Sequence, residues 1–404
     1  MRTIIFGTYD TAMHPRIATI AEGLAARGFE VTECNIPLGL TTADRVDMLA
    51  KPWKAGGLAV RLASRWLGLA AKARSLGRPD AVVVGYLGHF DVHLARLLYR
   101  RGSVFSKHGV FSKHGVFSKH GVPIVLDHLI SAAGTAKDRK IAGGGLKQRL
   151  LELIDAAALR AADIVVVDTA EHLETVPAKY RSKAVVVQVG APKLWHDAAQ
   201  EPSADVSGPL KVVFYGLYTP LQGTPVIGEA LGRLAGAPVE VTMIGRGQEE
   251  AETKRLAAAN QSVRWLDWVP AAELPVLVAA HDVCLGIFGT GDKAQRVVPN
   301  KVFQGAAAGC AVVTSDTAPQ RRVLGPVFQE SGFQESGAVL VPPGDPAALS
   351  DALLRLAEDR ESLLKLRHAA RQLAAERFTP EQVVEPLTDR LVPPHAPLPQ
   401  HDRA

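Results

Sequence analysis

The chain has 404 residues, of which 47% are hydrophobic and 22% are charged, and its formal net charge is +5. This length and composition are typical of a two-domain globular protein and exclude a disordered chain. The three cysteines, Cys34, Cys284 and Cys310, are far apart and provide neither a disulfide framework nor a zinc site. The positive charge indicates anionic partners, such as nucleotide diphosphates, lipid head groups or nucleic acid.

Short apolar runs alternate with helical segments along the chain, which is the pattern of parallel α/β sheets. In the first half, the predicted strands lie at 3–7, 30–36, 81–86, 123–129, 163–169 and 184–189. In the second half, they lie at 211–216, 239–245, 263–269, 282–288, 311–315 and 338–342. Two sets of similar length, each opening with a strand that ends in glycine, predict two Rossmann-like domains in tandem.

The domain boundaries follow from this alternation. We expect one domain over 1–195 and a second over 208–377, joined near 191–210, where the sequence is polar and has no periodicity. Residues 378–392 predict a last helix that packs back on the N-terminal domain, and the proline-rich residues 393–404 predict a disordered tail.

Two exact tandem repeats fall between predicted helices and strands. VFSKHG occurs three times over 104–121, and FQESG occurs twice over 328–337. One interpretation is a His/Lys array that binds metal or phosphate. The other, which we favour, is sequence duplication in a surface loop, because no acidic or cysteine side chain accompanies the histidines.

The most informative motif lies within 293–344. A basic loop precedes a helix that is predicted to begin near Pro299, Gly309 ends that helix, and a strand AVVTS and a loop PPGDP follow. A helix that begins at proline leaves backbone N–H groups free at its positive end, where a diphosphate can bind. Three basic residues surround this turn: Lys293, Arg296 and Lys301.

This order of motifs resembles the C-terminal half of retaining GT-B glycosyltransferases, in particular glycosyltransferase family four (group 1). The resemblance implies an α/β fold of the GT-B type, with two Rossmann-like parallel-sheet domains facing a cleft. It implies transfer of a sugar from a nucleotide-diphosphate sugar to an acceptor hydroxyl, with retention of configuration. We expect neither a metal ion nor another cofactor, because the basic residues and the helix N-terminus neutralise the leaving diphosphate.

One departure from the family concerns two glutamates that are usually eight residues apart. This chain has Arg296 and Gln304 at those positions. Gln304 can still hydrogen-bond a ribose or sugar hydroxyl, whereas Arg296 reverses the charge that usually faces the transferred sugar. The identity of the donor sugar therefore stays open.

Donor-binding residues are expected in the second domain, where glycines let the backbone approach phosphate. The resemblance implies contacts from the main chain near Trp268 to the base edge and from the basic loop to the diphosphate. The predicted set is Gly216, Thr219, Gly223, Gly245, Arg246, Trp268, Val269, Phe288, Gly289, Lys293, Asn300, Lys301, Val302 and Gln304.

Polar side chains follow the predicted strands of the first domain, at the edge where open α/β sheets bind ligands. We predict His89, Asp127 and His128, with Arg296 of the second domain, as the catalytic group. For Asp127 or His128, the resemblance implies a position that faces the transferred sugar or the acceptor hydroxyl. Asp127 is the better candidate if its strand ends at Leu126, and His128 is the alternative. Acceptor-binding residues are predicted to be Tyr9, His14, Arg16 and Tyr86.

The segment 51–77 combines an apolar stripe with six basic residues and has no acidic one. It predicts either a helix lying on an anionic membrane surface or an ordinary helix that covers the first sheet. The first interpretation suits a lipid-linked acceptor and a cytoplasmic protein that is peripheral on the inner membrane face. The second suits a small-molecule acceptor.

Two other functions share this architecture, namely a sugar-nucleotide epimerase and a non-catalytic nucleotide-sugar-binding protein. The sequence has no G-x-G-x-x-G fingerprint after its first strand, which argues against a dehydrogenase. It also has no nucleic-acid recognition module, so we expect no nucleic-acid partner.

Overall fold

The structure, a computed structural model, describes residues 1–10, 15–39, 55–100, 121–129, 131–138, 145–200, 208–325 and 337–392. Several sequence predictions lie wholly or largely outside these residues: His14, the VFSKHG repeats, the FQESG repeats and the tail 393–404. The described chain divides into two compact units, one formed by residues 1–188 and 383–404 and the other by residues 189–382.

The first unit contains a parallel six-stranded sheet in the order β2-β1-β3-β4-β5-β6. Its strands are β1 Arg2–Gly7, β2 Glu30–Asn35, β3 Ala81–Val84, β4 Ile124–Asp127, β5 Ile164–Val167 and β6 Ala184–Val186. Its first helices are α1 Pro15–Ala26, α2 Ala55–Leu76, α3 Asp91–Tyr99, α4 Ala132–Asp138, α5 Gly145–Ala161, α6 Ala170–Thr175 and α7 Ala178–Arg181.

The second unit repeats this plan with a sheet in the order β12-β11-β10-β7-β8-β9. Its strands are β7 Leu210–Tyr215, β8 Val239–Ile244, β9 Val263–Leu266, β10 Val283–Leu285, β11 Ala311–Ser315 and β12 Ala338–Val341. Its helices are α8 Lys193–Asp197, α9 Thr224–Arg233, α10 Glu250–Leu256, α11 Leu274–Ala279, α12 Asn300–Ala307, α13 Ala318–Leu324, α14 Pro346–Glu358 and α15 Arg360–Arg377. The prediction of two Rossmann-like parallel sheets is confirmed.

Both faces of the first sheet are buried, which explains why its strands are continuous apolar runs instead of alternating ones. Alternate residues of β3 point to opposite faces: Val82 and Val84 pack with α2, α3 and α5, whereas Val83 packs with α1. The same face as α1 is covered by Val383, the last residue of the helix α16 Pro380–Val383, and by the helix α17 Glu385–Leu391.

The segment predicted as one helix over 378–392 is divided into α16 and α17 at Val384. Pro386 explains the division, because its ring nitrogen cannot donate the backbone hydrogen bond that a continuous helix requires. Proline is well accommodated in the first turn of a new helix, and α17 places it there. Val383, Val384, Leu387 and Leu391 are buried against the first unit.

A substitution in α17 tests this packing. Leu387 is fully buried, so Leu387→Ala should lower the stability of the first unit by about 2–5 kcal/mol. Hydrogen exchange should then report faster opening of β1 and β3 while the strands of the second unit keep their protection. The exposed Asp389→Ala variant on the same helix is the control. Equal protection of β1 in L387A and the parent chain would contradict the packing.

Candidate active site

Three loops of the second unit, those after β7, β8 and β10, meet at the carboxyl edge of its sheet, where glycines allow close backbone contact. A Cβ atom on Gly223 would lie 2.5 Å from the backbone nitrogen of Gly289, and one on Gly245 would lie 1.9 Å from the carbonyl oxygen of Gly216. Gly223 also has a φ of +63°, which disfavours a side chain. The structure therefore brings four of the predicted donor-binding glycines together.

Lys301 extends from the first turn of α12 into this group of loops. Its ammonium group donates a hydrogen bond to Oε1 of Gln222 and lies 3.7 Å from the centre of the Phe214 ring. A Cβ atom on Gly216 would lie 3.1 Å from Lys301 Nζ, so the cation lies beside the backbone of the first loop. Burial lowers the pKa of Lys301 to about 7.

The helix α12 begins as the sequence predicts. Pro299 is its N-cap in extended conformation, and Asn300, Lys301 and Val302 form the first turn. The backbone N–H groups at such a helix start have no intrahelical acceptor, which adds positive potential next to the Lys301 ammonium group. Phe288 and Gly289, which end the neighbouring β10 segment, are buried at the same edge.

Gln304 lies one turn further along α12 and points into the interior. It is buried, and its Oε1 accepts a hydrogen bond of 3.0 Å from the Tyr215 hydroxyl. The predicted bond from Gln304 to a ribose or sugar hydroxyl thus has an internal competitor. The sequence could not reveal this, because 89 residues separate the two partners.

The other predicted donor-binding residues lie around this centre. Trp268 is exposed with 73% of its surface accessible, and Val269 beside it is half-buried. Arg246 is exposed and pairs with Asp267, which links the loops after β8 and β9.

The carbonyl oxygen of Thr219 accepts hydrogen bonds from the backbone amides of Gln222 and Gly223. Lys293 and Arg296 are half-buried in the loop before α12, where the amide of Arg296 bonds the carbonyl of Lys293.

Three imidazoles form a buried group at the carboxyl edge of the first sheet. The ring centre of His128 lies 5.4 Å from that of His89 and 6.2 Å from that of His172. His89 Nε2 lies 2.9 Å from Asp155, and His172 Nδ1 lies 2.7 Å from Asp168. Each flanking imidazole thus has a carboxylate beside it, whereas Nδ1 of His128 is buried without a hydrogen-bond partner.

The protonation state of His128 follows from these surroundings. Burial and the neighbouring His89 lower the pKa of His128 to about 3, so its imidazole is neutral at pH 7. The pKa of Asp155 is also lowered. Although burial opposes the shift, His89, the Ser131 hydroxyl and the Ala132 amide lower the pKa of this carboxyl.

The structure gives Asp127 and His128 different surroundings. The strand β4 continues through Asp127, so the condition that favoured Asp127 is not met. Its carboxylate is buried and forms an ion pair of 2.9 Å with Arg16. Arg16 also donates to the carbonyl of Val187, and this buried pair joins α1 to β4 and to the residue after β6. Arg16, predicted to bind the acceptor, is therefore used in internal packing.

The remaining predicted acceptor residues belong to the loops after β1 and β3. Tyr9 is buried and its hydroxyl donates to Glu33, and burial raises the pKa of that hydroxyl. Tyr86 is half-buried. Asp91 at the start of α3 accepts hydrogen bonds from Thr8 and from the Trp66 indole, which connects α2 to the edge of the sheet.

Sequence reasoning missed several polar groups that the fold brings to these edges. In the first unit they are Asp155, Asp168 and His172; in the second they are Tyr215 and Gln222. A signal was present for Asp168 and His172, which lie in the segment DTAEH (168–172) at the end of the predicted strand 163–169. Within the described ranges, no group of three histidine, cysteine, aspartate or glutamate side chains could hold a metal ion.

A match to a known protein family lies within the second unit. Residues 209–359 match the family model of Glycosyl transferases group 1. The second unit is therefore a group 1 glycosyltransferase domain. A phosphatidyl-myo-inositol mannosyltransferase of Mycobacterium leprae is 32% identical over 164 residues. That alignment covers 39% of this chain and 40% of the relative, so the chain spans about two fifths of the length of this curated relative.

Solved structures match nearly the whole chain. Sucrose-phosphate synthase from Thermosynechococcus elongatus superposes with a TM-score of 0.63 at 15% identity, over 95% of this chain and 96% of that one. Anabaena HepE in complex with UDP-glucose gives a TM-score of 0.62 at 12% identity, over 96% and 98%. These likenesses confirm the GT-B fold that the motif order implied.

The glycine contacts generate a matched pair of stability predictions. Gly223→Ala places a Cβ atom against the backbone of Gly289, whereas Gly236→Ala, also at positive φ, meets nothing within 4 Å. Both should lose about 1–2 kcal/mol from the left-handed backbone, and G223A should lose a further 1–3 kcal/mol, roughly, from the steric conflict. Urea unfolding of the two variants checks this. Equal losses would show that the loops can separate without cost.

Proposed function

We propose that this chain is an enzyme that transfers a sugar from a nucleoside-diphosphate sugar to an acceptor hydroxyl. The observation that carries the proposal is the Lys301 ammonium group, buried beside the Gly216 backbone at the N-terminal turn of α12. Its neighbours Gln222 and Phe214 are uncharged, so a diphosphate supplies the negative charge that this cation lacks.

The same geometry suggests how bond cleavage is assisted. When the bond between sugar and diphosphate breaks, negative charge grows on the leaving oxygen. Lys301 and the N–H groups at the start of α12 stabilise that charge, and this environment does not require a metal ion. Retention of configuration is part of the proposal, on the strength of the resemblance to retaining enzymes. Analysis of the product anomer by NMR and of activity in EDTA tests both statements.

The acceptor side of the proposal rests on His128. An imidazole with a pKa of about 3 is a weak base and carries no charge at pH 7. Its unpartnered Nδ1 is suited to hydrogen-bond and orient an acceptor hydroxyl. We propose that His89 and His172, each beside a carboxylate, maintain the ring arrangement around it.

For the acceptor, we propose a lipid-linked hydroxyl, and for the protein a cytoplasmic location at the membrane surface. The described part of the chain contains no helix long and apolar enough to cross a bilayer. The helix α2, for which the sequence left an interfacial helix and an ordinary cover of the sheet as alternatives, has four basic residues and no acidic one. The named mannosyltransferase of Mycobacterium leprae acts, by its name, on a phosphatidyl lipid, which supports the same acceptor class.

The donor site predicts the behaviour of a Lys301→Met variant. A thermal-shift screen of UDP, GDP, ADP and TDP sugars first identifies the donor. With that donor, K301M should release nucleoside diphosphate about 10- to 1,000-fold more slowly, since the charge that stabilises the leaving group is lost. The melting temperature should not fall, because methionine suits an uncharged, buried site. The exposed Lys254→Met is the control. Unchanged release by K301M would place the diphosphate elsewhere.

A substitution in the acceptor site should slow sugar transfer without weakening nucleotide binding. His128→Ala should slow transfer to the acceptor by about 100-fold or more, as expected when an orienting hydrogen bond is lost. The Kd for the nucleoside diphosphate should change less than twofold, because His128 belongs to the other unit. His93→Ala, on the exposed side of α3, is the control. A parallel loss of nucleotide binding in H128A would contradict the assignment.

A further inference from the structure

The exposed apolar side chains of the first unit are concentrated on one side of its sheet. Among its described residues, the large hydrophobic side chains that are exposed are Val60, Leu67, Phe90, Leu97, Leu146, Leu150 and Leu153. All of them belong to α2, α3 and α5 or, in the case of Phe90, to the residue that precedes α3. These three helices cover the same face of the sheet.

Leucines 146, 150 and 153 form a stripe along α5, because residues three and four apart lie on one side of a helix. Leu146 is 85% exposed, Leu150 57% and Leu153 66%. The opposite side of α5 is buried through Ala158 and Leu159. Water-exposed leucines at this spacing are what an amphipathic helix presents to an interface.

Two contacts show where these stripes lie relative to the histidines. Asp155 of α5 is beside His89 at the sheet edge. The three leucines precede Asp155 along the chain, so they lie in the N-terminal turns of α5. Trp66 of α2 donates to Asp91 at the start of α3, so Val60 lies in the corresponding part of α2. Phe90 follows His89 directly in the chain. The apolar stripes are therefore at the same edge as the proposed acceptor site.

The surface around the stripes is basic. Arg61, Arg65, Lys72 and Arg74 are exposed on α2, and residues 55–77 contain no acidic side chain. On α5, Arg149 and Arg160 are exposed, against one exposed acidic residue, Glu152. Leucine stripes surrounded by arginine and lysine are complementary to a bilayer that contains anionic lipid.

We propose that the stripes on α2 and α5, together with Phe90, insert into the surface of an anionic membrane. The charge argues against a second copy of the chain on this face, because two identical basic surfaces would repel each other. Presentation of a lipid-linked hydroxyl to His128 rests on the proposed function. The membrane contact does not depend on it.

Flotation of the full chain with vesicles tests the proposal. The chain should float with vesicles that contain phosphatidylserine, should not float with pure phosphatidylcholine, and should be released as salt rises. The variant L146S/L150S/L153S should partition at least about tenfold less, since less apolar surface enters the interface. The variant R61Q/R65Q/K72Q should partition about a hundredfold less, since each basic residue contributes about fivefold.

Matched variants of the second unit control for general effects. Leu194→Ser with Val276→Ser removes exposed apolar surface there, and K254Q/R255Q/K365Q removes three exposed positive charges. Both should float like the parent chain.

Three outcomes would overturn the proposal. These are no flotation of the parent chain, equal flotation with neutral and anionic vesicles, and flotation of the triple leucine variant at the parent level. Loss of a dimer in L146S/L150S/L153S, measured by sedimentation, would assign the face to self-association instead. Nucleotide release can be measured without vesicles. If the parent chain releases nucleotide but does not float, the membrane contact is rejected and the proposed enzyme function is not.

Discussion

The burial of the Lys301 ammonium group is the constraint around which the second domain is organised. A cation inside a protein is unfavourable unless its surroundings compensate for the lost water, and here burial lowers its pKa to about 7. The available compensation is one amide oxygen, the face of an aromatic ring and nearby backbone. A diphosphate at the start of α12 would complete this environment, so the cost of burying Lys301 is offset when a donor binds.

In the first domain, the corresponding feature is an unpartnered polar group, His128, at the carboxyl edge of a packed sheet. Arg16 and Asp127 neutralise each other in its interior, and His89 and His172 each have a carboxylate. His128 is left as a neutral imidazole with an unpartnered nitrogen. In the proposed reaction, the charged chemistry belongs to the second domain and the neutral orientation of a hydroxyl to the first.

The sequence predicted the two sheets and the helix that carries Lys301, because strand and helix periodicity and glycine or proline punctuation are local signals. It did not predict partners that are distant along the chain. Lys301 and Gln222 are 79 residues apart, and Arg16 and Asp127 are 111 apart. For this reason Arg16 was predicted to bind an acceptor, although it is an internal ion-pair partner. The leucine spacing on α5 was visible in the sequence, but only the structure shows that these side chains are exposed.

Proton uptake on nucleotide binding tests the role of Lys301 most directly. At pH 8, a lysine with a pKa of about 7 is mostly neutral, while a terminal phosphate with a pKa near 6 is ionised. Binding of UDP should raise the lysine pKa and draw a proton from the buffer. Calorimetric titration in two buffers of different ionisation enthalpy should show uptake of most of one proton by the parent chain and none by K301M. Equal uptake by both chains, or no uptake by either, would contradict the account.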